Sequence, residues 1–346
     1  MPRLHRLSRW LLGLLSAGLA LILALINSAT LNSQGAYPLY FPYIRTHPSP
    51  TPRPTPTPQR LPLGWLARVN YYRDTANLPP LSEQPNWSEG NRLHARYMVK
   101  NDVIEHDEDP QRPWYTRQGQ AAAQSSNLIV SYGVAETDEA AIDGWMTAPF
   151  HAIGILDPDL RAVGFGSYRE ADGGFQMGAG LDVIRGLDYA APDPVYPVVW
   201  PGPGRAVPLT AYAGEYPDPL THCPGYGSQA GLPILLLAGP GYTHPSVSAS
   251  IFSQDGRGLE HCLFTGDSYF NPDPDQQDLA RSIMTSRDAV VLIPRAPLTP
   301  GAVYTVAITV NHQITTWSFS ILPTTSTPDG GRAPRLGLPQ PGRAAR

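Results

Sequence analysis

Thirty-nine of the 346 residues are proline, and where they fall decides what this chain can fold into. An ordinary share of about 5% would give roughly 17. Proline fixes φ and has no backbone N–H, so it interrupts helix interiors and central strands. Helix content is therefore expected to be modest, with the excess proline in linkers and loops. Residues 47–62 read HPSPTPRPTPTPQRLP. Repeated Thr-Pro and Ser-Pro steps favour extended polyproline II and cannot build a core. This stretch reads as a semi-rigid stalk within a linker spanning residues 31–63.

The first 30 residues read as a targeting segment. Arg3, Arg6 and Arg9 precede an uncharged apolar run from Trp10 to Ile26. Its length falls between a secretory core of about 7–15 residues and a spanning helix of about 20. Ser28 and Ala29 can permit cleavage, but no A-x-A site is present. A cleaved signal peptide and a retained transmembrane helix both stay open. Either places the remainder outside the cytoplasm, secreted or anchored to the cell membrane through the N-terminal segment. The formal net charge of -4 argues against a nucleic-acid partner.

Residues 64–188 carry mixed helix and strand signals. GWLARVNYYRD places Leu66, Val69 and Tyr72 on one helical face. Ser88 is expected to cap a helix through Leu93, Tyr97 and Met98, and Thr137 or Asp138 to cap TDEAAIDGWM. RAVGFGSY and GGFQMGAGLDVI read as two strands joined by a Gly/Asp turn. Helices flanking a small antiparallel sheet predict an α/β/α sandwich, so the fold class is α+β.

Residues 189–323 change character. Pro and Gly punctuate short apolar runs at 233–239, 246–253, 289–294, 302–310 and 315–322. Strands at this spacing predict an all-β sandwich. The run PLTPGAVYTVAITV followed by TWSFS resembles the end of bacterial immunoglobulin-like domains. Cys223 and Cys262, the only cysteines, fall in this region and are expected to form a disulfide in an oxidising compartment. NPDPDQQD (271–278) reads as a rigid surface loop, since it lacks the glycine and final glutamate of a calcium loop. Residues 324–346, rich in Pro, Gly and Arg, read as a disordered tail.

Four segments carry a resemblance. HARYMVKNDVIEH (94–106), SSNLIV (125–130), WMTAPFH (145–151) and VGFGSY (163–168) occur in the order of the CAP domain. That is the module of cysteine-rich secretory proteins, antigen 5 and pathogenesis-related 1 proteins, here in its bacterial, SCP-like form. The resemblance implies a cleft in which two histidines and two glutamates can bind zinc or another divalent metal. His106 and His151 match the two histidine positions. Ser126 stands where many relatives have a glutamate, and Ala148 stands at the other acid, three residues after Trp145. Without those carboxylates two imidazoles lack both charge balance for a metal and a base to activate water. Glu108 or Asp107 is the local substitute. His94, on the helix with Tyr97, and Asn127, beside Ser126, complete the cleft candidates, each with a structural hydrogen-bonding role as its plainer reading.

Ser125 or Ser126 with His151 is a conceivable hydrolase pair, but there is no GxSxG elbow and no obvious third residue, and HExxH is absent, which excludes a zincin. The expected function is a non-enzymatic binding or adhesion module displayed on the stalk. Its partner would be a cell-surface protein, a lipid or a cell-wall component. Two alternatives stay open: a lipid, sterol or small-ligand carrier, and a metal-dependent hydrolase of cell-wall or protein substrates.

Overall fold

The computed structural model describes residues 61–190, 194–227 and 229–323. The apolar run Trp10 to Ile26, most of the proline stalk and the tail 324–346 lie outside the described residues. The described residues all fall within one compact unit. Among the described residues no helix is long and apolar enough to cross a membrane.

The N-terminal half begins with α1 (Trp65–Asp74), β1 (Ser82–Glu83), α2 (Pro85–Asn101) and α3 (Arg117–Ala123). It continues with β2 (Ser126–Ser131), α4 (Asp138–Met146), α5 (Pro149–Ile155), β3 (Ala162–Val163), β4 (Phe165–Arg169) and β5 (Met177–Asp182). Strands β2, β5 and β4 form an antiparallel sheet in that order, with β5 central. Because side chains alternate across a strand, β2 faces both ways. Leu128 and Val130 pack with Met98 of α2, while Ile129 joins the cluster containing Val69 of α1 and Trp145 of α4. Helices therefore cover both faces of the sheet.

Glycine sets how closely α2 approaches. A Cβ on Gly166 would lie 2.1 Å from the Arg92 backbone nitrogen, and one on Gly180 2.2 Å from Asn91 Oδ1. Larger residues there would push the helix off the sheet. The start of α2 differs from expectation. Pro85 occupies the first turn and Gln84 the cap, one turn before Ser88. Proline is preorganised for that position. Ser88 instead donates to Glu83 Oε1 at 2.7 Å and accepts from the Phe165 N–H at 3.2 Å. Thr137 caps α4 as expected, accepting from the Ala140 N–H.

The C-terminal half contains β6 (Val198–Trp200), β7 (Ala206–Val207), a 3-10 turn (Pro219–His222), β8 (Ile234–Leu237), β9 (Val247–Gln254) and β10 (Arg257–Gly258). Then follow β11 (His261–Thr265), α6 (Pro274–Thr285), β12 (Ala289–Pro294), β13 (Val303–Val310) and β14 (Gln313–Ile321). Two sheets form, ordered β10-β9-β13-β14-β7 and β11-β12-β8-β6. Every residue of β12 is buried, whereas β13 alternates buried and half-buried positions. Cys223 and Cys262 are joined as a disulfide with their Cα atoms 5.7 Å apart.

The region is not purely β. The segment expected as a rigid loop at 271–278 is the start of α6. Asp273 accepts from the Asp275 and Gln276 N–H groups, and Pro274 follows at the first helical position. An aspartate cap followed by proline is a helix start rather than a cation loop.

The two halves share one hydrophobic core, running from Val69 to Ile321. Trp200 packs edge-on against Tyr72 and donates its indole N–H to Thr75 Oγ1 at 3.0 Å. Phe150 of α5 meets Tyr269 edge-to-face at 5.5 Å. Arg287 pairs with Asp157 at 2.9 Å between side chains that are both largely buried. Such aromatic pairs contribute about 0.5–1.5 kcal/mol each beyond their area.

Candidate functional site

Helix α5, the start of β2 and the second half of α6 leave a cleft of about 400 Å³ between the two halves. One wall carries His106, Ser126, Asn127 and His151 from the N-terminal half. The opposite wall carries Tyr216, Leu279, Ile283 and Arg287 from the C-terminal half. Of the residues singled out in the sequence, these first four come together. His94 and Glu108 do not join them.

His151 is held by a residue that sequence reasoning missed. Its Nδ1 lies 2.8 Å from Oε2 of Glu215, a carboxylate from the C-terminal half. The same carboxylate accepts from the backbone N–H of Phe150 at 3.1 Å and of His151 at 3.3 Å. These are donors of the first turn of α5, which has no side-chain cap of its own. Gly214, with φ +107°, supplies the left-handed turn that delivers Glu215, and the Tyr212 hydroxyl accepts the Glu215 N–H at 2.8 Å. Burial pushes the Glu215 carboxyl above its usual range, while His151 and the two N–H groups pull it back. The Phe150 and His151 backbone N–H groups can only donate, so the carboxylate accepts here; with His151 also donating through Nδ1, its Nε2 is turned away from the carboxylate.

His106 is oriented differently. Its Nδ1 lies 2.9 Å from the Ala123 carbonyl. A carbonyl only accepts, so Nδ1 carries the proton and, in the neutral ring, Nε2 carries the lone pair. The residue keeps access to solvent through the cleft mouth, yet the protein around its ring strips hydration and lowers its pKa from 6.5. The Ala123 carbonyl opposes that shift, and His151 and His94 add to it. Asn127 donates from Nδ2 to the His151 carbonyl at 3.0 Å, tying β2 to α5. Ser126 is only 6% exposed, and its hydroxyl has no hydrogen-bond partner among the described residues.

The expected substitution of Glu108 or Asp107 for the missing acids is corrected here. Glu108 is buried behind α2, where Oε1 lies 3.0 Å from His94 Nδ1 and Oε2 accepts the Thr116 N–H at 2.9 Å. His94 Nε2 meets the Glu105 carbonyl at 3.0 Å, so both its ring nitrogens are occupied. Asp107 faces Gln120 and Gln124. Their proximity to His106 in sequence suggested the cleft, but neither lines it: Glu108 is turned onto His94, and Asp107 stops at the two glutamines.

Residues 66–183 match the family model for CAP, the cysteine-rich secretory protein family. They form a CAP domain. A solved structure of an extracellular protein containing a SCP domain from Bacillus anthracis is 18% identical, with a TM-score of 0.28. The match covers 35% of this chain and 38% of that one. No curated protein matches.

The metal that the CAP resemblance implies does not fit these residues. Among the described residues no group of three or more His, Cys, Asp or Glu side chains can hold a metal ion. The cleft offers two imidazoles and a serine hydroxyl, and Glu215 is spent on Nδ1 of His151 and two N–H groups. A closed zinc site needs about four strong donors, and a carboxylate on the far ring nitrogen cannot supply one.

Proposed function

We propose that this is an extracytoplasmic, non-enzymatic binding protein whose ligand occupies the cleft between the CAP domain and the C-terminal half. The cleft itself carries the reading. Its volume lies within the range of about 300–1,000 Å³ typical of small-molecule sites. Its walls are mostly apolar, with a few converging polar groups that the fold leaves unsatisfied. The Cys223–Cys262 disulfide supports an oxidising compartment. In this reading residues 1–30 direct export, 31–63 form the stalk and 324–346 form a tail. Residues 64–188 are the CAP domain, and 189–323 are a sandwich of immunoglobulin-like type. The two β-sheets of this half support the last assignment.

The test is native mass spectrometry of the full chain recovered from the extracytoplasmic space. Retained small-molecule mass, lost on Leu279→Asp at the cleft mouth, is the expected result. Protein of bare polypeptide mass, with metal-dependent turnover abolished by His106→Ala, would replace this reading.

One observation favours a hydrolase as the second reading. A buried carboxylate holding Nδ1 of a histidine is the arrangement that readies Nε2 as a general base. Its discriminator is hydrolysis of an ester or peptide substrate that falls on Glu215→Ala while the protein stays folded.

A further inference from the structure

A second groove lies wholly on the CAP domain and shares no lining residue with the cleft. Its volume of about 300 Å³ is at the small end of the range for small-molecule sites, about 300–1,000 Å³. Trp65 of α1, Glu83 of β1, Arg92 of α2, Asp138 of α4 and Ser167 of β4 line it.

Its polar groups are fixed within the protein. Arg92 forks onto Glu89, Nε to Oε2 at 2.8 Å and Nη2 to Oε1 at 2.7 Å. Asp138 Oδ1 accepts from the Ser167 hydroxyl at 2.8 Å and from Arg169 Nη2 at 2.7 Å. Arg169 Nη1 donates to the same Ser167 hydroxyl at 2.8 Å. Glu83 Oε1 accepts from Ser88 at 2.7 Å. Exposed ion pairs add little stability, so folding alone does not call for two of them at one groove. Polar groups already ordered lose less entropy when a ligand binds.

These contacts leave bonding capacity over. Among the described residues Arg92 Nη1 has no acceptor, and Asp138 Oδ2 and Glu83 Oε2 have no donor. The groove thus offers a free donor and free acceptors together. A hydroxyl both donates and accepts, so adjacent hydroxyls meet a guanidinium and a carboxylate at once. The charges are nearly balanced, with Glu89 matched by Arg92 and Asp138 by Arg169. Glu83 has no cationic partner among the described residues, and it repels an anion.

One wall is aromatic. Trp65 is half-buried and stacks on the buried Phe165 at 5.4 Å, which holds its ring rigid. An aromatic face is electron-rich and attracts the weakly positive C–H hydrogens of a saturated ring. Hydroxyls at the edge and C–H groups on the face occur together in a sugar ring.

We infer that this groove binds a neutral pyranose sugar, its C–H face on Trp65 and its adjacent hydroxyls paired with Arg92 and with the Glu83 and Asp138 carboxylates. It is a second site, and its occupancy does not depend on the cleft.

Calorimetric titration of the full chain at pH 7.5 tests this with maltotetraose, cellotetraose, mannotetraose and N-acetylchitotetraose. Two charged counterparts accompany them: tetramannuronate, and the deacetylated, cationic form of the chitotetraose. At least one neutral oligomer is expected to bind, with a Kd of about 1 mM or tighter. Tetramannuronate should bind about five-fold more weakly than mannotetraose, the scale of one exposed like-charge contact. Arg92→Met should weaken the bound neutral sugar about five-fold, the net worth of one hydrogen bond. Glu83→Gln should remove the discrimination against tetramannuronate. Trp65→Leu, which keeps an apolar group on Phe165, should abolish binding.

Arg92 and Glu83 reach solvent, so their variants decide the matter even where Trp65→Leu fails to fold. If either charged oligomer binds more tightly than all four neutral ones, the neutral-sugar inference is overturned. If Arg92→Met leaves a bound sugar's affinity unchanged, that sugar lies elsewhere and the inference fails. It fails equally if no neutral oligomer binds up to its solubility limit, while the cleft reading stands or falls on its own mass measurement.

Discussion

Two histidine–carboxylate pairs are shielded from solvent in different regions of this molecule, unlike the exposed His244–Asp267 pair, and only one of them leaves a ring nitrogen without a protein partner among the described residues. Behind α2, His94 and Glu108 are both wholly shielded from solvent, at 3.0 Å. Both ring nitrogens of His94 meet acceptors, so one proton lies between Nδ1 and Glu108 whichever atom carries it. The pair locks the turn after α2 to the helix and has no valence left over. At the cleft, His151 and Glu215 make the same contact at 2.8 Å, but His151 keeps 19% of its side chain exposed. Its Nε2 has no protein partner among the described residues. The same chemistry serves as a closed fastening in one region and as part of a cleft wall in the other. Satisfaction of the second nitrogen makes the difference.

The sharpest way to break this comparison is to remove each carboxylate. Glu108→Ala strands a buried imidazole and the Thr116 N–H, and should destabilise the fold by about 3–5 kcal/mol, read from denaturant midpoints. The surviving folded fraction should keep whatever small-molecule mass the wild type retains. Glu215→Ala should cost less, about 2–3 kcal/mol, because His151 can still reach water while the Phe150 and His151 N–H groups lose their acceptor. Its effect on the cleft should be larger, since His151 is no longer oriented. If Glu215→Ala leaves cleft affinity untouched, the contrast between the two pairs is wrong.

A smaller effect separates His106 from both. Burial lowers the pKa of His106, and likewise that of His222, below 6.5. A histidine depressed in the folded state contributes stability that is fully present above 6.5 and is lost as pH falls toward its folded value. Glu215, raised by burial, works in the opposite sense, losing its share as pH rises through its folded value. The melting temperature should therefore decline as pH drops below 6.5. His106→Phe should flatten that decline without removing it, because His222 remains. A decline of unchanged slope in the mutant would show that His106 is not desolvated in the fold.

Much of the architecture was legible in the sequence because local patterns carry it. Val69 and Tyr72 mark the buried face of α1, Thr137 caps α4, and the apolar runs at 289–294 and 302–310 became β12 and β13. The cysteines pair as expected. The misses have physical causes. Ser88 resembled a cap, but Pro85 began the helix one turn earlier. The proline-laced acids at 271–278 resembled a loop, but Asp273 and Pro274 together start α6. The cleft was half visible. His106, His151, Ser126 and Asn127 lie on segments with a recognisable order. Glu215 was invisible because it sits 64 residues beyond His151 in a region read as a separate sandwich. Nothing in Gly-Glu-Tyr-Pro distinguishes a buried acid from a loop acid. Its meaning comes from a tertiary contact across two halves that share one core.

The central claim is that both cleft histidines are held through Nδ1, leaving Nε2 without a protein partner among the described residues. Nitrogen chemical shifts of the imidazole rings in 15N-histidine-labelled protein at pH 8 test it most directly. The account predicts protonated Nδ1 and unprotonated Nε2 for His106 and His151, with His151 losing that preference in Glu215→Ala. A proton on Nε2 of either ring in the wild-type protein would contradict it.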